Sequence, residues 1–158
     1  MLHLSRPGLS SVLAFTLLAF AVGCADEPMD EAPPAEEPAA APAGPVEVWF
    51  EEPQDGATVQ GPDVQVVLGS SGIEIVPVEE GVQGTGHHHI FVNEDATPAG
   101  QVIPANVSGI IHLGDGSSEY VIEGLEPGEY RLITVLADLL HIPLDPPAHD
   151  TVHITVTE

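Results

Sequence analysis

The chain has 158 residues, with 25 acidic side chains against two basic ones and a formal net charge of −23 at pH 7. A chain this negative repels phosphate backbones, which excludes nucleic acids as partners. Because Cys24 is its only cysteine, the chain cannot form an internal disulfide or supply a zinc site that needs two or more thiolates.

Residues 1–23 are predicted to be a signal peptide of the lipoprotein type. Arg6 precedes an apolar run from residue 12 to residue 22, which is shorter than the roughly 20 residues of a membrane span. The run ends in Ala21-Val22-Gly23-Cys24, which resembles a bacterial lipobox, the motif whose cysteine becomes the lipid-modified N-terminus. We therefore expect a cell-envelope protein anchored to the membrane through Cys24. A plain secretory signal that leaves Cys24 as a free thiol is the alternative.

Residues 24–45 are predicted to form a disordered linker that begins at the lipidated cysteine. Beyond Cys24 the segment is dominated by Ala, Pro, Asp and Glu and has no aromatic or β-branched residue. Such a segment cannot bury enough apolar surface to offset the entropy of ordering it. The folded domain is therefore expected to span residues 46–158.

From Val46 onwards, short apolar runs alternate with turn residues, which predicts an all-β domain. Strands are predicted at residues 46–50, 64–68, 72–78, 87–92, 110–113, 119–122, 130–136 and 151–157. Pro77 is expected to place the end of the third of these at a sheet edge or outside the sheet, because proline has no N–H to donate.

The segment Leu125-Glu126-Pro127-Gly128-Glu129-Tyr130 precedes the longest predicted strand. It resembles the tyrosine corner of immunoglobulin-like and fibronectin-type sandwiches, in which the tyrosine hydroxyl bonds back to the backbone of the turn. Pro127, Gly128 and Tyr130 are accordingly predicted to be structural residues. About seven to eight short strands together with this corner predict an immunoglobulin-like or fibronectin-type β-sandwich.

Three consecutive histidines, His87, His88 and His89, lead into an apolar strand. Residues two apart on a strand point to the same face, so His87 and His89 can share a metal ion while His88 points the other way. A third ligand is predicted from His112 or His141. Zn²⁺ and Cu²⁺ are the candidate ions, because both bind imidazole and the domain has no methionine or cysteine for Cu⁺.

Carboxylates and isolated histidines complete the inventory of possible ligands. Asp115, Glu80 or Asp145 are candidates for a ligand or for an acceptor that fixes an imidazole tautomer. A structural role for the histidine cluster is the alternative, with each ring hydrogen-bonded to loop carbonyls and carboxylates. His149 and His153 stand alone and are expected to be structural or exposed.

Four segments in a fixed order carry a family resemblance. They are the stretch 84–90 with the triple histidine, Ile111-His112-Leu113-Gly114, Leu125-x-Pro-Gly, and the stretch from Leu136-Ala137-Asp138 through His141-Ile142-Pro143 to Pro146-Pro147. Together they resemble DUF4399, a family of exported bacterial and archaeal domains of unknown function. The resemblance covers nearly all of residues 46–158 and implies an exported β domain without implying an activity.

Two functions are consistent with these features. The first is an envelope lipoprotein, monomeric and with a possible protein partner in the envelope, that binds a divalent metal through its histidines. The second is a non-enzymatic module that binds a protein or glycan partner through loops or sheet edges, with structural histidines. Trp49, Phe50 and Tyr120 could supply a contact patch, but aromatic residues are so scarce that we expect these three in the core.

Catalysis is not expected. The domain has no Gly-x-Ser-x-Gly elbow, no phosphate-binding glycine loop that ends in lysine and no cysteine nucleophile. A metal-assisted hydrolase at the histidine cluster is the enzymatic alternative.

Overall fold

The computed structural model describes residues 44–158, which form a β-sandwich. The predicted signal peptide, Cys24 and the linker as far as residue 43 lie outside the described residues. In the described part of the chain, no helix has the length and apolar character needed to cross a membrane.

The sandwich has nine strands in two sheets. They are β1 (Glu47–Glu52), β2 (Thr58–Gln60), β3 (Val64–Ser71), β4 (Glu74–Ile75), β5 (Thr85–Val92), β6 (Ile110–Leu113), β7 (Glu119–Ile122), β8 (Gly128–Ala137) and β9 (His149–Thr157), with a 3₁₀ turn at Val78–Glu80. The order β1-β3-β7 forms one sheet and β2-β9-β8-β5-β4 the other, with β6 also paired to β5. This is an immunoglobulin-like arrangement, in which β1-β3-β7 correspond to strands A, B and E and β9-β8-β5-β6 to G, F, C and C′.

The core between the sheets is built from strands that are apolar on one face. On β9, for example, Val152, Ile154 and Val156 are buried and the residues between them are exposed. The largest cluster of buried core side chains consists of Phe50, Val64, Val66, Leu68 and Ile122 from the smaller sheet, and Ile90, Leu113, Leu132, Val152, Ile154 and Val156 from the larger one.

Strand β5 is buried on both faces along almost its whole length. Ile90 belongs to the core between the sheets, and His88 shares its face because the two residues are two apart. The opposite face carries His87, His89 and Phe91. Phe91 packs there in a second apolar cluster with Ile103, Ile133, Val135 and Ala137. Because Ile103 belongs to the segment that follows β5, that segment covers the outer face of the larger sheet.

Most of the predicted strands are confirmed, and the predicted bounds of β6 and β7 are those observed. The prediction of a strand over 72–78 is wrong for most of its length. β4 has only the two residues Glu74–Ile75, because Pro77 cannot donate to a neighbouring strand and Val78–Glu80 turns into a 3₁₀ helix. β2 was not predicted, since three residues with one apolar side chain give no recognisable alternation.

Phe50 is in the core, but the expectation of core positions for Trp49 and Tyr120 is wrong, because they are 38% and 40% exposed. Trp49 pairs with Gly69, and its indole ring covers this glycine so closely that a side chain there would overlap the ring. Tyr120 pairs with Val66. Since residues 66 and 69 are an odd number apart on β3, Trp49 and Tyr120 lie on opposite faces of the sheet and cannot form one contact patch.

The turn between β7 and β8 contains the contact expected of a tyrosine corner. The Tyr130 hydroxyl donates a hydrogen bond to the Glu126 carbonyl at 2.9 Å. Gly128 begins β8, and a Cβ added there would come no closer than 3.9 Å to the nearest side-chain atom, on Tyr130. The turn therefore does not require glycine at this position for space.

Candidate metal centre

Four imidazoles converge on the outer face of β5. They belong to His87, His89, His112 and His141, and each offers a nitrogen that lies within 4.8 Å of the other three. The sequence left open whether His112 or His141 would join the pair on β5, and the fold brings both to it. This group of side chains, called the four-histidine cluster below, could hold a metal ion.

Strand pairing accounts for three of the four positions. His87 and His89 are two apart on β5 and therefore share a face. His89 stands directly opposite His112 in the antiparallel pair of β5 and β6. Side chains directly opposite each other on neighbouring strands are in contact, and these two rings stack with centroids 4.9 Å apart and planes inclined by 25°.

The fourth histidine comes from the turn that follows β8. His87 pairs with Ala137, the last residue of β8, so this turn begins beside the cluster. The chain then folds back, since Ala137 also pairs with Pro143. His141 lies within the tight turn between these two residues and so reaches the other three rings.

Asp138 organises the turn that presents His141. Its carboxylate oxygen Oδ1 accepts hydrogen bonds from the N–H groups of Leu140 and Ile142, both at 2.9 Å. The N–H of His141 donates to the Asp138 carbonyl at 2.9 Å, and the His141 carbonyl accepts from the N–H of Ile103 at 2.8 Å. The backbone of His141 is thus held from both sides.

His141 has a left-handed backbone conformation with φ of 61°. For a residue with a side chain this conformation costs about 1–2 kcal/mol. Such a residue persists where its surroundings fix it, and strained residues concentrate at functional sites. Here the hydrogen bonds of Asp138 and Ile103 supply the restraint.

The ring of His112 needs the glycine that follows two residues later. His112 and Gly114 project to the same side of the chain, and the imidazole lies where a Cβ at position 114 would be. Any side chain at this position would displace the ring. Gly114 therefore makes space for one member of the cluster.

The four rings lie near the corners of a tetrahedron. Their six centroid separations run from 4.7 to 5.7 Å, and four of the six are 4.9 Å. The centre of a tetrahedron with edges of about 5 Å is about 3 Å from each corner, so a ring that turns a nitrogen towards the centre would place it about 2 Å away, the length of a zinc–imidazole bond. A square arrangement would need diagonals about 1.4 times as long as its edges, as a tetragonal copper site requires.

The cluster makes its hydrogen bonds internally. The Nε2 atoms of His87 and His89 are 3.0 Å apart, and those of His112 and His141 are 3.2 Å apart. A neutral imidazole has one donor and one acceptor nitrogen, so each pair can form one hydrogen bond. The buried Nδ1 of His89 has no partner among the described residues.

The carboxylates that were considered as ligands are not in the cluster. Asp115 instead accepts a hydrogen bond from the N–H of Ser117 at 2.9 Å and so stabilises its own turn. Glu80 and Asp145 are exposed. Among the described residues, the group of possible ligands consists of imidazoles alone.

Burial disfavours the protonated form of three of the four imidazoles. Together with repulsion from the neighbouring imidazoles, it lowers the pKa of His87 to about 4 and that of His89 to about 3. The pKa of His112 is also lowered, first by its partial burial and then by His141, while Asp115 acts in the opposite direction. At neutral pH the rings of His87 and His89 are therefore in the form that binds a metal ion.

The remaining histidines of the domain lie outside the cluster. His88 is fully buried on the opposite face of β5, and neither of its ring nitrogens has a hydrogen-bond partner among the described residues. Burial lowers its pKa to about 4. His149 and His153 are exposed, and Nδ1 of His153 lies 3.5 Å from Asp55.

Two residues that shape the site, Asp138 and Gly114, lie in segments that carry the family resemblance, but no role at the site was predicted for them. Asp138 stands three residues before His141, and Gly114 two residues after His112. An aspartate in a turn commonly accepts hydrogen bonds from the N–H groups that follow it, which was an available signal for the first. The role of Gly114 depends on the direction of a ring and has no local sequence signal.

The buried histidines should make the metal-free protein less stable in acid. The folded-state pKa values of His87, His88 and His89 lie below the ordinary value of 6.5, so the unfolded chain binds protons first as the pH falls. The stability they contribute is complete above this value and is lost towards about pH 4. Urea unfolding between about pH 7 and about pH 4.5 should show a falling free energy of unfolding. The H88L variant should show a shallower fall, and an unchanged slope would contradict this explanation.

Comparison with known proteins shows a family and remote structural likenesses. No curated protein matches the chain. The crystal structure of an engineered protein is 16% identical, with a TM-score of 0.44 and an alignment that covers 75% of this chain and 21% of that one. The family model DUF4399, described as a domain of unknown function, matches residues 66–157. The chain therefore belongs to the DUF4399 family.

Proposed function

We propose that this domain binds one zinc ion through His87, His89, His112 and His141. The observation that carries the proposal is the near-tetrahedral arrangement of the four rings, each of which offers a nitrogen within 4.8 Å of the other three. Tetrahedral coordination is the arrangement that zinc adopts at sites with four protein ligands, whereas Cu²⁺ favours tetragonal geometry. Zinc is therefore preferred to copper.

The chemistry around the rings supports a metal over a purely structural role. A structural histidine is expected to bond to carbonyl or carboxylate oxygens, but the hydrogen bonds of these four rings run between the rings themselves. Bringing four imidazoles together in this way engages four of their eight ring nitrogens, and the buried Nδ1 of His89 has no partner among the described residues. An ion at the centre would satisfy all four converging nitrogens at once.

Four protein ligands favour binding over hydrolysis. Catalytic zinc sites keep one of four positions for water or substrate, and structural sites fill all four with side chains. The alternative of a protein- or glycan-binding module has less support, since Trp49 and Tyr120 lie on opposite faces of their sheet.

Zinc should bind with a stoichiometry of one and should stabilise the protein. At a free zinc concentration about 100 times the dissociation constant, the stabilisation expected from mass action is about 2.7 kcal/mol. The measurement is thermal unfolding of metal-free protein, purified without nickel resin, with zinc content determined by elemental analysis.

Two double variants, one of them a matched control, test which histidines bind the zinc ion. H87Q/H89Q removes both ligands on β5 and should abolish the zinc-dependent rise in melting temperature. H149Q/H153Q replaces two exposed histidines on β9 and should keep it. Equal zinc content in the two variants would contradict the assignment.

Gly114 provides a second test, because it acts on His112 without being a ligand. The G114A variant should weaken zinc binding by about 10–100-fold, the range found when residues that orient metal ligands are changed. G128A is the control, since a methyl group at position 128 meets only ordinary contacts. The zinc affinities of G114A and G128A are measured by titration. Equal affinities would argue against the proposed position of the His112 ring.

We further propose that the protein acts at the cell envelope, anchored through a lipid on Cys24. The support is the position of the only cysteine at the end of a short apolar run that resembles a signal peptide. The C24S variant should move from the membrane fraction to the soluble fraction when cells are fractionated. Retention of C24S in the membrane fraction would contradict the anchor while leaving the zinc site unaffected.

A further inference from the structure

A pocket of about 330 Å³ lies beside the four-histidine cluster. His89, His112 and His141 line it, whereas His87 does not. The rest of the wall is mostly apolar and comes from residues 102–106 and Ile110. At about 30 Å³ for a water-sized group, the pocket has room for about ten non-hydrogen atoms. It therefore has the size and composition of a site for a small ligand.

The pocket faces one side of the tetrahedron. Three of the four rings line it, so it opens on the triangular face that His89, His112 and His141 define, opposite His87. A ligand that approaches an ion through this face meets it along the line that leads to His87. Zinc with four ligands can expand to five, and entry through a face gives a trigonal bipyramid without the loss of any histidine.

The charge of the site selects the kind of ligand. Four neutral imidazoles contribute no negative charge to a divalent ion. The carboxylates of Asp138 and Asp115 act on His87 and His112 from outside the group of ligands, so part of the charge of the ion stays uncompensated, which is costly in a partly buried site. Among the described residues the only lysine or arginine is Arg131, which pairs with Asp95 at 2.7 Å and does not line the pocket. A bound ion would therefore be the pocket's one fixed positive charge.

We propose that this pocket binds a small carboxylate with an apolar body, whose carboxylate oxygen takes the fifth position on the zinc ion. The apolar body packs against Val102, Ile103 and Ile110, and the carboxylate reduces the net charge at the ion. This inference rests on the proposed zinc site. Because the chain carries a formal net charge of −23, metal-free protein repels such an anion and gives it no counter-charge in the pocket.

The test compares benzoate with benzamide, which has a similar size and shape but no charge. Zinc content of the purified full-length protein is measured first. The binding of each compound to zinc-loaded and to metal-free protein is then measured by calorimetric titration. Benzoate should bind the zinc-loaded protein at least tenfold more tightly than benzamide, and neither compound should bind the metal-free protein measurably.

Two variants test whether benzoate binds in this pocket. Ala105 is exposed and lines the pocket, so A105W should occupy the space and weaken benzoate binding at least tenfold while zinc content stays at one. Ala99 is exposed on the same connection between β5 and β6 but does not line the pocket, so A99W should behave as the unaltered protein.

The outcomes separate the two proposals. Protein that takes up no zinc overturns both of them. Protein that holds one zinc ion but binds benzoate no better than benzamide, or no better than metal-free protein does, overturns the carboxylate site alone. Equal effects of A105W and A99W overturn the assignment to this pocket.

Discussion

The candidate site depends on the burial of β5 on both faces. One face packs into the core between the sheets through Ile90, and the other lies under the segments that follow β5 and β8. An edge strand with one face in water would hold the same histidines as separate, solvated side chains. Because β5 is central and covered, the rings of His87 and His89 are fixed in place and lose contact with water.

Removal of the rings from water has two consequences, and both favour the binding of a metal ion. It disfavours protonation, so the imidazoles keep the lone pairs that a metal ion requires. It also removes the water that would otherwise satisfy their nitrogens, and the nearby carboxylates do not replace it, since Asp138 and Asp115 are committed to backbone N–H groups. The left-handed backbone of His141 adds a local cost to the same arrangement. Burial, nitrogen lone pairs without a partner and backbone strain are therefore all found within the four-histidine cluster.

Much of the fold could be predicted because its signals are local. The alternation of residues on β9 and the turn before Tyr130 indicated a sandwich, and the spacing of His87 and His89 put them on one face. Which other histidines would join them could not be predicted, because His112 reaches β5 through strand pairing and His141 through a turn after another strand. Residue type alone was also insufficient for Trp49, whose partner Gly69 lets the indole cover an exposed face instead of entering the core.

The coordination of zinc-loaded protein is the most direct test of this account, and X-ray absorption at the zinc edge measures it. Four imidazole nitrogens at about 2.0–2.1 Å from the zinc ion are expected when no carboxylate is added. A first coordination sphere dominated by oxygen, or one with two or fewer imidazoles, would show that the four-histidine cluster does not enclose the ion. The near-tetrahedral arrangement of the rings would then reflect side-chain packing alone.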